Sequence, residues 1–356
     1  MSISIFREIP LLLLFASYFL INETVASPTL QQPPVDQKPI VVLCIDGGGV
    51  RGLIPALVIE GMEKAIGKPI TEVADLVAGT SAGSIIAATL NIPNAEGKQK
   101  YSATEVVGLA NGVIKQIFYN SAGRSIRTLG GLAGSKYSAK PLESFLSKYF
   151  GNLKVSDTVK PVLLTSVDLQ TNDIFNFSTR LGKVWPSMFN LFVKDGVRAS
   201  TAAPTFFKPV DLTLASGYKL VLADGGLVAM SPELLALAEA RTLFPNQRYI
   251  VISLSTGRYT GKSTIKAKGM SSGSLPQMLK PLITTTLESQ LNLSNELMRS
   301  YRDVEYYRID AAVTKEGSAM DDVSDKNLQN LRNVAANVIA TNLNYTKAVA
   351  RLKELG

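Results

Sequence analysis

Short apolar segments alternate with longer helical stretches along most of this chain, and that alternation restricts the folds open to it. Five segments have the length and composition of buried strands, at residues 40–45, 73–78, 161–167, 219–223 and 250–254. Amphipathic helices are predicted to begin near Ser102 and near Asp325. Strands separated by helices are typical of parallel βαβ units. The sequence therefore predicts an α/β fold with a mainly parallel central sheet.

The N-terminal segment differs from the rest of the chain in composition. An apolar run from Ile9 to Ile21 follows Arg7 and precedes small residues, as in a secretory signal peptide. We predict that residues 1–26 are removed and that the proline-rich residues 27–38 form a linker. Residues 39–356 are then expected to be one domain, with its motifs in residues 39–260. A membrane anchor is the alternative for the first segment, although its apolar run is short for a spanning helix.

Entry into the secretory pathway would place the protein in the vacuole or outside the cell. Three Asn-x-Ser/Thr triplets then become candidates for N-glycosylation, at Asn176, Asn292 and Asn344. Each of them requires an exposed asparagine. After removal of the signal peptide we expect no integral membrane segment, and the sequence leaves the oligomeric state open.

Composition excludes several kinds of site. The chain contains one cysteine and no histidine. A single cysteine cannot form an intramolecular disulfide, and without histidine a zinc or other transition-metal site is not expected. No motif indicates a bound cofactor or a nucleic acid partner. The formal net charge of +8 could favour anionic lipid surfaces, although a solvated basic surface explains it equally well.

A Gly-Thr-Ser-Ala-Gly sequence, Gly79 to Gly83, separates a strand-like segment from a helical one. Strand, sharp turn and helix form the context of a nucleophile elbow, so Ser81 is a candidate nucleophile. Glycines flank the serine because a strained turn has no room for bulky side chains. A second Gly-x-Ser-x-Gly copy, around Ser271, has loop composition instead, and we interpret it as a chance match.

The missing histidine rules out a Ser-His-Asp triad, so the base must be a carboxylate or a lysine. A Ser-x-x-Lys arrangement fails at Ser81, because position 84 is a serine. Asp224 is the preferred base, because a predicted strand leads directly into Asp-Gly-Gly. Reactive groups of open α/β sheets gather at the carboxyl ends of strands, where Ser81 is also expected. Asp195 is the competitor, but we predict an ordinary turn there.

The first predicted strand ends in a glycine-rich segment, Asp46 to Gly52, which has three interpretations. It could be a dinucleotide-binding loop, but the acidic residue expected about 20 residues on, Glu72, starts the next strand. It could cradle a nucleotide phosphate, but it lacks the Lys-Ser/Thr of a P-loop. It could be an oxyanion hole made of backbone amides, which Ser81 one strand later favours. Arg51 could meet a lipid phosphate or pair structurally, for example with Asp46.

Taken in order, these motifs resemble the patatin family of plant lipid acyl hydrolases. The similarity rests on Asp46–Gly52, Gly79–Gly83, Arg198–Phe207 and Asp224–Met230. It implies a three-layer α/β/α fold related to cytosolic phospholipases, and a Ser-Asp dyad in place of a triad.

Carried over by position, the resemblance implies roles for single residues. Ser81 would be the nucleophile and Asp224 the proton acceptor, with an oxyanion hole formed by Gly47, Gly48 and Gly49. Seven further residues would support these motifs: Asp46, Arg51, Gly52, Gly79, Gly83, Gly225 and Gly226. The expected substrate is a membrane lipid or lipid aggregate, either phospholipid or galactolipid, without a cofactor. Defence and storage roles in a plant are implied as well, and a storage protein with vestigial esterase activity is the alternative.

Overall fold

Ten strands and twelve helices make up the described part of the chain. The structure, a computed structural model, describes residues 37–119, 134–259 and 275–355, with only the backbone of residues 275–284. The strands are β1 Ile40–Ile45, β2 Leu76–Thr80, β3 Val162–Asp168, β4 Ile174–Ser178, β5 Val210–Thr213, β6 Lys219–Asp224, β7 Tyr249–Leu254, β8 Arg258–Tyr259, β9 Val304–Ile309 and β10 Ala312–Val313. The helices are α1 Leu53–Ile66, α2 Ile70–Val73, α3 Ala82–Leu90, α4 Ala103–Ile117, α5 Lys140–Phe150, α6 Thr179–Val184, α7 Pro186–Phe189, α8 Val193–Ser200, α9 Glu233–Leu243, α10 Leu275–Ser300, α11 Asp325–Thr341 and α12 Leu343–Leu355.

Eight of the strands form one sheet, in the order β5-β6-β3-β2-β1-β7-β9, with β4 paired to β3. The pairs β3–β2, β2–β1, β1–β7 and β7–β9 are parallel. The pairs of β3 with β4 and β6, and of β5 with β6, are antiparallel. The sheet is therefore mainly parallel, which confirms the predicted fold class.

Helices cover both faces of this sheet, because alternate residues of a strand point to opposite sides. On one face, Val41, Leu43 and Ile45 of β1 share a buried cluster with residues of α1, α4, α5, α8, α11 and α12. On the other face, Val42 and Cys44 pack in a second cluster with α9 and α10. Two helical layers around one sheet give the three-layer α/β/α arrangement. The described residues from Lys38 onward form one compact unit.

Two strands meet head to head along β3. Residues 162–165 of β3 pair with the parallel strand β2, and residues 166–168 pair with the antiparallel strand β6. Thr80, the last residue of β2, lies opposite Thr165, and Asp224, the last of β6, lies opposite Ser166. Neighbouring positions of one strand thus bring together the ends of two others, with Ser81 and Asp224 at the junction.

Some sequence-based boundaries need correction. The strand predicted at residues 73–78 is Leu76–Thr80, because the short helix α2 occupies Ile70–Val73. Asp195 does not lie in a turn but in helix α8, where Gly196 leaves room for the ring of Phe177. The Ser271 copy of the motif and the predicted signal peptide lie outside the described residues, as does nearly all of the predicted linker. The helices predicted near Ser102 and Asp325 are α4 and α11, and Ser102 forms a capping box with Glu105 at the start of α4.

Candidate active site

Ser81 occupies a strained position between β2 and α3. Its backbone angles are φ 52° and ψ −121°, a conformation that costs a non-glycine residue about 1–3 kcal/mol. Ser84 holds the turn, because its amide and its hydroxyl donate to the Ser81 carbonyl at 2.9 and 2.6 Å. A Cβ atom on Gly79 would collide with the Gly83 carbonyl, and one on Gly83 with the carbonyl of Ile45. Both flanking positions therefore require glycine for close packing.

The hydroxyl of Ser81 donates to Oδ2 of Asp224 at 2.7 Å. The carboxylate is 4% exposed, and the Gly226 amide donates to its Oδ1 at 2.7 Å. Burial raises the pKa of Asp224 to about 6, although the hydrogen bonds from Ser81 and Gly226 act in the opposite direction. Proton transfer is most efficient when the pKa of the base lies near the working pH. The structure thus places a serine hydroxyl against a carboxylate suited to accept its proton.

Helix α8 and the residues after it hold both members of this pair. The Ser200 hydroxyl accepts a hydrogen bond from the Ser81 amide at 2.9 Å, and the Ala202 carbonyl accepts one from the Asp224 amide at 3.1 Å. Ser200 is completely buried. Sequence reasoning missed it, since the only signal was its place in the stretch Arg198–Phe207, which contributed to the resemblance without an assigned role.

The glycine loop, Gly47 to Gly49, follows β1 and lies against Ser81, because a Cβ atom on Gly47 would come within 3.2 Å of the Ser81 Cβ. The Gly47 amide donates to the Met230 carbonyl at 2.9 Å. It is therefore occupied, which corrects the expectation that all three glycines offer free amides. The amides of Gly48 and Gly49 have no acceptor among the described residues, so these two remain the candidate oxyanion donors.

Arg51 and Asp46, which the sequence analysis considered as a possible pair, have different partners in the structure. Arg51 is buried, and its guanidinium donates to the carbonyls of Gly257 at 2.9 Å and of Gly48 at 3.4 Å. Asp46 does not pair with Arg51 but forms a two-point ion pair with Arg308 of β9. Arg51 thus has a structural role that sequence reasoning anticipated, with backbone carbonyls as its partners.

Supporting glycines lie where close approach is needed. A Cβ atom on Gly52 would come within 3.0 Å of Ala82, so this glycine lets the start of α1 approach α3. A Cβ atom on Gly225 would collide with Thr165 of β3. Gly226 supplies the amide bound to Asp224. Gly52 and Gly225 therefore let one element of the site approach another, and Gly226 holds the Asp224 carboxylate.

Only one of the three candidate glycosylation sites has an exposed asparagine. Asn292 is exposed on α10, whereas Asn176 lies half-buried in β4. Asn344 is half-buried as well, and its amide nitrogen donates to the Arg308 carbonyl at 2.8 Å.

The described residues contain no cluster of acidic or cysteine side chains that could hold a metal ion. None of the helices within the described ranges is long and apolar enough to span a membrane.

Comparison with known proteins places this geometry in a family. Residues 43–237 match the family model of patatin-like phospholipases. Patatin-like protein 2 of Arabidopsis thaliana is 29% identical over 339 residues, which cover 83% of this chain and 82% of the relative. Patatin group D-3 of Solanum tuberosum is 24% identical over 344 residues, covering 85% and 84%. A cGAMP-activated phospholipase of Pseudomonas aeruginosa is 29% identical over 290 residues, covering 80% and 83%. The chain belongs to the patatin-like phospholipase family.

Proposed function

We propose that this protein is a lipid acyl hydrolase whose nucleophile is Ser81 and whose base is Asp224. One observation carries the proposal: a serine on a strained strand–helix turn donates a 2.7 Å hydrogen bond to a buried carboxylate. Family membership supports lipid ester hydrolysis in general. The dyad and the substrates below are the more specific part of the proposal.

In the acylation step, Ser81 Oγ attacks the carbonyl carbon of the ester while Asp224 Oδ2 accepts the hydroxyl proton. The tetrahedral intermediate then collapses, the bond to the leaving alcohol breaks, and Asp224 returns the proton to that oxygen. In deacylation, water attacks the carbonyl carbon of the acyl-serine while Asp224 accepts its proton; the bond from that carbon to Ser81 Oγ then breaks, Asp224 returns the proton to Oγ, and the fatty acid leaves. No histidine is needed, because the serine proton passes directly to the carboxylate.

The developing oxyanion would be stabilised by the amides of Gly48 and Gly49. Preorganised donors of this kind are worth roughly 10²–10³ in rate each. Their contribution matters here, because a carboxylate with a pKa near 6 is a weak base towards an alcohol. We therefore assign much of the rate enhancement to the loop and the proton transfer to Asp224.

For the substrate we propose a membrane phospholipid or galactolipid, presented in a bilayer or an aggregate. We further propose a secretory location, in the vacuole or outside the cell, with Asn292 as the favoured glycosylation site because its side chain is exposed. Defence and storage roles in a plant remain compatible with this activity. A storage protein would combine abundance with low turnover.

A hydrolysis panel tests the function. Vesicles of phosphatidylcholine, vesicles of galactolipid and a triacylglycerol emulsion are incubated with the wild type and with Ser81→Ala, and released fatty acid is quantified. Loss of the nucleophile should remove essentially all turnover, a loss of about 10³-fold or more. Ser271→Ala, in the second motif copy, is the matched control and should retain wild-type rates. Equal release by the wild type and Ser81→Ala would contradict the proposal.

A further inference from the structure

A buried ion pair stands at the base of the glycine loop. Asp46 directly follows β1 and precedes Gly47, and its side chain is 2% exposed. Arg308, in β9, donates from Nη1 to Oδ1 at 2.9 Å and from Nη2 to Oδ2 of this carboxylate. A two-point contact between guanidinium and carboxylate fixes orientation as well as distance.

The guanidinium is itself held by other partners. Its Nη1 also donates to the Ser253 hydroxyl at 2.7 Å, and its Nε donates to Asp310 Oδ1 at 3.0 Å. Ser253 belongs to β7 and Asp310 follows β9. Two neighbouring strands thus fix the arginine, and the arginine fixes the residue before the loop.

Gly47, at the start of the glycine loop, and Val50, directly after it, are also held by hydrogen bonds. Gly47 donates its amide to Met230 and accepts from the Thr256 hydroxyl at 2.5 Å. Beyond the glycines, the Val50 amide donates to the Met320 carbonyl at 2.8 Å. The anchors lie on both sides of Gly48 and Gly49, whose amides are left without an acceptor among the described residues. Asp46 is the anchor at the start of the loop.

We propose that Arg308 is a positioning residue of this active site, which acts through Asp46 to hold the Gly48 and Gly49 amides where the ester oxyanion forms. The inference rests on the proposed function and extends it. Arg308 lies outside residues 43–237, the part that matches the family model. The C-terminal part of the chain therefore contributes to the geometry of the site, in addition to covering the sheet.

This role predicts a particular kinetic signature. Oxyanion donors act on the transition state, so a displaced loop should lower kcat and leave KM unchanged. A purely structural ion pair would instead change the unfolding midpoint without that split. Removing Arg308 alone leaves a buried carboxylate unpaired, which is strongly destabilising. The test must therefore separate loop position from folding.

Two variants of the full chain make that separation. Arg308→Lys keeps the positive charge but cannot make the two-point contact. The double variant Asp46→Asn, Arg308→Met removes both charges of the pair. Asp310, which also contacts Arg308, is exposed, and the buried Glu233, 4.0 Å from the guanidinium, keeps two hydroxyl donors from Ser294 and Tyr306. Arg180→Lys is the matched control, because Arg180 pairs with the buried Glu239 at 2.9 Å, and the other hydrogen-bond partner of Glu239 is Ser178 of β4.

Three measurements are made on each variant: thermal unfolding, kcat and KM for p-nitrophenyl butyrate, and the affinity for a trifluoromethyl ketone. The ketone forms a tetrahedral serine adduct that carries an oxyanion, so it reports on the loop directly. We expect the double variant to unfold cooperatively, with unchanged KM and with kcat lower by about 10²-fold, the contribution of one donor. Ketone affinity should fall by the same factor as kcat/KM. Arg308→Lys should show a smaller loss of the same kind, and Arg180→Lys none.

Wild-type kcat in either Arg308 variant would overturn the inference, as would unchanged ketone affinity in a variant that has lost kcat. An equal loss of kcat in Arg180→Lys would also overturn it, because the effect would then be one of general destabilisation. A wild type that does not hydrolyse the ester would contradict the proposed function itself, so the two failures are distinguishable.

Discussion

The buried carboxylate of Asp224 is expected to lower the stability of the folded protein. Its pKa is raised from 3.8 to about 6 by burial, so the folded state holds its proton more tightly than the unfolded state does. The contribution of Asp224 to the stability of the fold is therefore most favourable below about pH 3.8, falls as the pH rises to about 6, and is constant above that. The difference between the two pKa values corresponds to about 3 kcal/mol.

Asp224→Asn should remove this penalty together with the activity. The amide carries no charge, and it can still accept from the Gly226 amide and contact the Ser81 hydroxyl. At pH 7 we expect the variant to be more stable than the wild type by up to about 3 kcal/mol, with the gain vanishing near pH 4. Urea unfolding at both pH values measures the gain, and ester turnover should be lost.

The matched control is Asp211→Asn, which neutralises an exposed carboxylate on β5. We expect no pH-dependent gain from it. A pH-independent difference between Asp224→Asn and the wild type would show that the native carboxylate is not destabilised by burial. Retained turnover in Asp224→Asn would remove Asp224 from the mechanism.

Among the elements, α8 contacts the candidate site directly, because its last residue, Ser200, accepts the hydrogen bond from the Ser81 amide. Ser200→Ala removes the acceptor of the Ser81 amide and leaves that donor unpaired, at a cost of about 1–3 kcal/mol. Because the strained turn loses a support, we expect kcat for a short-chain ester to fall about tenfold, equivalent to about 1.4 kcal/mol. Steady-state kinetics and thermal unfolding measure the two effects.

Thr201→Ala is the control for this helix. Thr201 is buried next to Ser200, but its hydroxyl donates to the Val197 carbonyl of α8 at 2.8 Å and not to the site. Both variants should lose stability, and only Ser200→Ala should lose kcat. Equal kcat values would show that the elbow keeps its geometry without Ser200.

The sequence predicts where most strands of the central sheet lie, but not the direction of every strand. Strands β1, β2, β3, β6 and β7 were predictable because each contains a short apolar run, although β2 begins three residues later than predicted. The direction of β6 was not, because the side chains of a buried strand do not encode whether its neighbours are parallel. Asp224 was therefore expected at the carboxyl edge beside Ser81, whereas it arrives from the opposite direction along β3. The predicted pairing of Asp224 with Ser81 is present in the structure, but the expected strand direction, which was the reason for the prediction, is not.

At the scale of the whole molecule, contacts between distant segments were out of reach of the sequence. Arg308 meets Asp46 across a separation of 262 residues, and Glu305 and Arg308 interrupt the apolar residues of β9, which is therefore not a continuous apolar run. Likewise, nothing local reveals that Met230 occupies the Gly47 amide. Such contacts depend on topology, which local patterns do not specify.

The same contacts argue that the motif core does not fold alone. Strand β9 pairs with all six residues of β7, and α11 packs on α1, where a Cβ atom on Gly61 would lie 2.9 Å from Ile339. A chain ending at Tyr259 would expose the edge of β7 and leave Asp46 without Arg308. Exposed strand edges promote aggregation, and an unpaired buried charge costs several kcal/mol.

We therefore expect residues 27–259 to be insoluble or to lack a cooperative unfolding transition, whereas residues 27–356 unfold cooperatively. The comparison is made by soluble yield, thermal unfolding and p-nitrophenyl butyrate hydrolysis, with residues 27–356 as the control because only the predicted signal peptide is missing. If the shorter chain unfolds cooperatively and turns over the ester, residues 39–260 are a domain in their own right. The motif-bearing residues would then fold without the C-terminal part of the chain, and Arg308 would be dispensable for the glycine loop.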